Sequence, residues 1–185
     1  MHLRLYNEQT DFTYIVQWIR DERTHALWCA NLLLYPLFKE ELGNYLVEQN
    51  LNFCSQSECQ VLQNVKDHDG AYVYADENDH PVGFFIYTVN KQDKSGFVRF
   101  IMVDNTVRGK GYGTAMLREL QQFAYEKTGV SSLRLIVFDV NTAARTCYEK
   151  AGFTIIENLP DTFSYRDETW RRRMMEHRAD FERNY

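Results

Sequence analysis

Val107-Arg108-Gly109-Lys110-Gly111-Tyr112-Gly113-Thr114 is the stretch whose reading decides the fold. Three glycines alternate with larger residues, and two of those, Arg108 and Lys110, are basic. Residues 97–103 before it are almost wholly apolar and predict a buried strand. After it, Met116, Leu117, Leu120, Phe123 and Ala124 recur at the helical period, so residues 115–127 predict an amphipathic helix, closed by Gly129. The glycines therefore fall in a strand-to-helix turn. Free backbone N–H groups and the positive end of a helix dipole meet there, which suits an anion. Glycine permits close approach of the backbone, and Arg108 and Lys110 would add charge-assisted bonds to phosphate. The expectation is a pyrophosphate cradle.

The glycine spacing narrows the ligand. A dinucleotide turn needs G-x-G-x-x-G, and here the third glycine comes one residue too early. A P-loop needs Ser or Thr after its Gly-Lys pair, and Gly111 follows Lys110 instead. A glycine turn without any ligand is the plain alternative.

The remaining chain supports a single domain of 185 residues. Hydrophobic residues at 44% and charged residues at 25% are ordinary for a globular protein. The formal net charge of −5 implies no basic face for nucleic acid, and it weakly suits a cationic amine. The start of the chain, Met1-His2-Leu3-Arg4-Leu5, lacks the apolar core of a signal peptide, and no run approaches membrane-spanning length. A cytoplasmic protein with reduced cysteines is expected. Among Cys29, Cys54, Cys59 and Cys147 no pair has C-x-x-C spacing, and no zinc site is expected. Cys54 and Cys59 are close enough in sequence to meet, but two thiols are the expectation.

In chain order, residues 3–6 predict a short strand, and residues 12–20 a helix with Asp11 as cap. Residues 26–38 predict a short helix or loop broken by Pro36, and 39–50 another helix. Residues 50–69 receive no assignment. Residues 71–75 and 82–89 predict a hairpin around the turn cluster 76–79, followed by the strand 97–103. Beyond the glycine turn and its helix come a strand at 133–138, a helix at 142–150, a strand at 153–156, a loop at 159–167 and a strand at 169–177. The result is a mixed α/β domain with a mostly antiparallel sheet flanked by helices. The connection from its fourth to its fifth strand is a parallel crossover through a helix.

A second cluster follows the fifth strand. Asn141, Ala144, Arg145 and Tyr148 share one helical face, so an amide and a phenol point to the same side. On spacing alone they also fit a helix cap and a core aromatic.

Taken together, residues 108–113, the segment Asn141 to Tyr148, and Gly152-Phe153 closely resemble the GNAT family of acyl-CoA-dependent N-acetyltransferases. That family's loop pattern, Q/R-x-x-G-x-G/A, is matched by Arg108, Gly111 and Gly113. Trp28, Tyr35-Pro36-Leu37 and Glu40-Glu41-Leu42 look loosely like its ribosomal-protein-acetyltransferase-like branch. The resemblance implies an acyl-CoA N-acyltransferase fold whose fourth and fifth strands splay apart. It implies acetyl-CoA between them, with the pyrophosphate on Arg108, Gly109, Lys110, Gly111, Tyr112, Gly113 and Thr114. The pantetheine arm would pair with Met102 and Val103, beside Asn141 and Arg145. Tyr148 would protonate the leaving thiolate after direct attack by a primary amine.

Many relatives carry a glutamate in the fourth strand as base. Here Phe100, Ile101 and Met102 are apolar, which leaves Asp104, Asp139, His80 and Glu22 as candidates. Cys147 has no recognisable histidine partner, which disfavours a covalent cysteine route. A CoA-binding sensor without catalysis is the second expectation, and a nucleotide-phosphate-binding protein a remoter third. The acceptor, a small molecule or a protein N-terminus, is left open, with Trp28, Tyr35 and Phe38 as lining candidates. A free sheet edge also leaves a homodimer open.

Overall fold

The computed structural model describes residues 1–55 and 68–179. Its seven strands form one sheet in the order β1-β2-β3-β4-β5-β7-β6. β1 (His2–Leu5), β2 (Gly70–Ala75), β3 (Pro81–Asn90) and β4 (Ser95–Val103) pair antiparallel in sequence. β4 then runs parallel to β5 (Ser132–Phe138), and β7 (Glu168–Arg178) lies between β5 and β6 (Thr154–Tyr165). The splayed pair that the family resemblance implies is present. β4 and β5 pair only from Ser95 to Val98 against Ser132 to Leu135.

Helices α1 (Glu8–Trp18), α2 (Glu22–Cys29) and α3 (Lys39–Glu48) precede β2. They cover one face of the sheet, where Ile15, Trp18, Leu42 and Leu46 bury against Val73, Phe84, Ile86 and Phe100. α4 (Tyr112–Phe123) and α5 (Thr142–Lys150) cover the other face, where Met116, Leu117, Leu120 and Tyr148 meet Tyr72, Phe85, Val98 and Leu135. A third cluster joins Ala26 of α2 to Phe138, Tyr165 and Trp170, so α2 is packed over the β5–β7 side. Among the described residues no helix is long and apolar enough to cross a membrane.

Several expectations are corrected. Asn7, not Asp11, caps α1 by accepting from the Gln9 N–H at 2.9 Å. Asp11 is buried in the first turn, where both its oxygens hold the Arg4 guanidinium at 2.6 and 2.9 Å and one also accepts from the Asn7 N–H at 2.8 Å. α2 begins at Glu22 because Asp21 caps it, accepting from the Thr24 N–H at 2.7 Å. β6 runs through the stretch expected as a loop, and Pro160 is accommodated where the β6–β7 register shifts between Asn158 and Thr162. Cys54 is disulfide-bonded rather than a thiol, since chain spacing does not report the Cα separation that decides bridging. Cys59 and most of the unassigned 50–69 stretch lie outside the described residues.

The Arg4–Asp11 pair ties β1 to α1. Asp11→Ala leaves a mostly buried guanidinium, with a side chain 17% exposed, short of its principal partner. Breaking a buried pair in this way costs about 3 kcal/mol. Urea unfolding of the variant should show a lowered midpoint with an unchanged slope.

Candidate active site

Divergence of β4 from β5 opens a cleft of about 790 Å³ that reaches both faces of the sheet. From Arg99 onward the β5-facing backbone edge of β4 has no strand partner, although β4 stays paired to β3 through Met102 and Val103. Within β4 two residues, Phe100 and Ile101, stand opposite the single Phe85, which is a β-bulge. Phe100 takes φ 56° there, a left-handed conformation uncommon for a bulky side chain. The Trp28 indole N–H donates to the Phe100 carbonyl at 2.6 Å and anchors the bulge from α2.

At one end of the cleft the chain leaves β4 through a 3₁₀ turn, Asn105–Val107, and enters α4. Gly111 caps α4 with φ 88° and no side-chain bond, so the first N–H groups of the helix, at Tyr112, Gly113 and Thr114, have no acceptor inside it. Gly109 also has positive φ, at 79°. A Cβ added at either glycine would meet nothing within 4 Å, so dihedral preference and open space fix glycine there. Gly113 differs, because its added Cβ would lie 2.9 Å from Cys147 Sγ. It lets α4 and α5 approach each other. These N–H groups, the helix dipole and Arg108 fit a pyrophosphate. Partial burial, then the like charge of Arg20, pulls the Arg108 pKa down. An anion between the two would relieve that repulsion.

Ten of the site residues expected from sequence line this cleft. They are Met102 and Val103 of β4, Arg108, Gly109, Gly111, Tyr112, Gly113 and Thr114 of the turn, and Asn141 and Tyr148. Lys110 and Arg145 are not in the lining; Lys110 is exposed, and Arg145 Nε stands 3.6 Å from Glu149 Oε1. Asn141 is a cap and a cleft residue at once. Its Oδ1 accepts from the Ala144 N–H at 3.2 Å, which leaves its amide N–H₂ to donate elsewhere. Tyr148 is 7% exposed, and burial, followed by the nearby Cys147, pushes its phenol pKa up. Burial likewise raises the Cys147 thiol, which argues against a thiolate there.

None of the four proposed bases lines the cleft. Asp104 accepts from the Thr106 N–H, Asp139 from the Arg171 N–H, His80 sits beside Asp76, and Glu22 pairs with Arg166. Among the described residues the lining holds no Asp, Glu or His. Of the three aromatics expected at the acceptor side, Trp28 lines the cleft, while Tyr35 and Phe38 are exposed outside it. The sequence reading missed Arg99 and Arg172, which do line it. The available signal was a lone charge at Arg99 inside an otherwise apolar strand.

The model of the Acetyltransferase (GNAT) family matches residues 32–153. In the solved structures the fold recurs in a spermidine N-acetyltransferase from Vibrio cholerae bound to CoA and spermine. That match has 16% identity and a TM-score of 0.72, over 95% of this chain and 94% of that one. A putative phosphinothricin N-acetyltransferase matches at 18% identity and a TM-score of 0.65, covering 95% of this chain and 96% of that one. At these identities the likeness carries the fold.

Gly111→Ala tests the cradle. With no clash to create, its cost is the left-handed dihedral, about 1–2 kcal/mol. If the loop adopts this geometry to hold CoA, calorimetry should show CoA affinity falling about tenfold. Unaltered affinity would separate the turn from the ligand.

Proposed function

The chain belongs to the Acetyltransferase (GNAT) family and is an acetyl-CoA-dependent N-acetyltransferase; from that premise we propose direct transfer to a primary amine in a ternary complex, with Tyr148 as the acid. The observation that carries this reading is that Tyr148, buried on α5, lines the same cleft as Arg108 and Gly111 to Thr114 of the loop. Acetyl-CoA supplies a thioester carbonyl. The turn and the α4 N-terminus bind its pyrophosphate, and the unpaired edge of β4 near Met102 and Val103 takes its arm as an added strand. Asn141 donates to that arm through its free amide hydrogens.

The amine nitrogen forms a bond to the carbonyl carbon while the C–S bond breaks, and the Tyr148 proton passes to the leaving sulfur. Burial holds the Tyr148 phenol above its ordinary value, so it stays protonated and available to the leaving sulfur. A main-chain N–H near Val103 would stabilise the oxyanion.

The lining offers no carboxylate or imidazole base among the described residues, so the amine proton leaves to solvent. The same feature is what favours the rival reading, a CoA-binding sensor without turnover. CoA binding combined with no thiol release across a broad amine panel would select that rival.

The acceptor is a small molecule or a protein N-terminus. The spermine bound by the Vibrio cholerae enzyme is one model of such an amine. We assign the protein to the cytoplasm, supported by the free thiols of Cys29 and Cys147; the Cys54 disulfide weighs the other way. A homodimer would use an edge strand, β1 or β6.

Tyr148→Phe should lower kcat about a hundredfold, within the usual range for a general acid, while CoA affinity stays within twofold. Thiol release measured on an accepted amine decides it, and full activity in the variant would remove Tyr148 from the role. For the wild type, kcat/KM should rise with pH until the acceptor's own amine pKa, because no protein base intervenes. A plateau set instead by a group near pH 6 to 7, independent of the amine, would reveal a base.

A further inference from the structure

The cleft lining is strongly cationic in a chain whose net charge is −5. It holds Arg99, Arg108, Lys150 and Arg172 and, among the described residues, no Asp or Glu. Arg108 belongs to the phosphate turn, and Lys150 ends α5 on the same face of the sheet as α4. The other two face the opposite way. Val98 packs on the α4–α5 side, so its neighbour Arg99 points to the α1–α3 side, where its Cζ lies 5.7 Å over the Tyr45 ring of α3. Arg172 is register-paired with Phe138, and directly opposed residues of a pair share a face. Phe138 packs with Ala26 of α2. Both arginines therefore stand on the face where Trp28 closes the cleft, away from the phosphate turn.

Their states differ. Arg172 pairs with Asp161. Arg99 pairs with no carboxylate among the described residues, and its Nε is buried without a hydrogen-bond partner. Two carboxylates of this side, Glu22 and Glu41, are engaged elsewhere, with Arg166 and with the Leu34 N–H. A buried guanidinium nitrogen left unpaired is costly unless a ligand satisfies it. Arginine presents a planar fork that fits an oxyanion with two parallel bonds. A polyamine would instead bring more cations beside one that is already uncompensated.

Building on the acetyltransferase reading, we infer that the acceptor is a small amine bearing a carboxylate or similar oxyanion, which Arg99 binds on the α1–α3 face of the cleft. Arg172, already paired with Asp161, adds little net charge. The acceptor's amine then lies towards the β4 bulge, with its acid group turned back to Arg99 and Tyr45.

The test uses the whole protein, acetyl-CoA, and a matched panel. The panel contains amino acids, their methyl esters, aminophosphonates and a polyamine such as spermidine. Thiol release should give the free acid a kcat/KM at least about tenfold above its ester, as expected for one charge-assisted anchor. Aminophosphonates should follow the acids if any oxyanion suffices. In Arg99→Met, which keeps bulk and loses charge, the acid-to-ester ratio should collapse towards one; Arg99→Lys should restore part of it. A purely structural role would slow acid and ester alike and leave the ratio intact, which overturns the inference. Preference for spermidine over every acid also overturns it while the acetyltransferase reading stands. Tight CoA binding with no amine acetylated at all overturns both.

Discussion

β4 and β5 hydrogen-bond only from Ser95 to Val98 and from Ser132 to Leu135 before they part. A parallel pair that runs to its end would leave no cleft. The bulge at Phe100 and Ile101 bends β4 away just beyond the last paired residue, Val98. Past that point β5 stays paired to β7 on its other edge and β4 to β3. The gap leaves a row of unpaired backbone groups on β4, and unpaired backbone in a cleft is a template for an extended ligand. Trp28 holds the bend from α2 through one hydrogen bond to the Phe100 carbonyl.

Charge is distributed unevenly along the cleft. The α4 N-terminus and Arg108 favour phosphate at one end, and Arg99, with no carboxylate partner among the described residues, raises the potential on the other face. An acceptor oxyanion held at Arg99 would cancel that charge, so the lining suits pairing with an anion rather than lowering an amine's pKa. Among the described residues the lining holds no carboxylate that would compete for the guanidinium. An acid on β4 at the bulge would neutralise Arg99 and remove the anchor.

The turn, α4 and α5 were legible because their signals are local. Glycines at 109, 111 and 113, the 3.6-residue period after them, and Asn141 before a helix each act within a few residues. The misread parts depend on distant partners. Asp11 has the composition of a cap, but Arg4 of β1 recruits it into an ion pair and Asn7 caps instead. β6 is exposed along most of its length and contains Pro160, so it shows no alternation, and only its pairing with β7 makes it a strand. No sequence period announces that β7 lies between β5 and β6. Within the cleft, Arg99 was overlooked because an apolar strand absorbs one charge in any pattern count. Its meaning depends on the bulge that follows it.

That bulge decides which face of the sheet each β4 side chain serves. In a regular strand Val98, Phe100 and Met102 would share one face. Instead Val98 packs with α4 and α5, while Phe100 and Met102 pack with α1 and α3. The extra residue resets the alternation, so Arg99 and Phe100, consecutive in sequence, point the same way. Phe100 stacks on Tyr45 at 5.2 Å, and the Arg99 guanidinium lies over that same ring. A one-residue register change flips every later side chain. Without the bulge Phe100 and Met102 would turn to the α4–α5 face, and the α1–α3 face would lose its apolar floor beside Arg99. The left-handed conformation at Phe100 is therefore the local cost of a cleft with two chemically different sides. One side is built from backbone amides and glycines for phosphate. The other is built from aromatic rings and a guanidinium with an unpaired Nε.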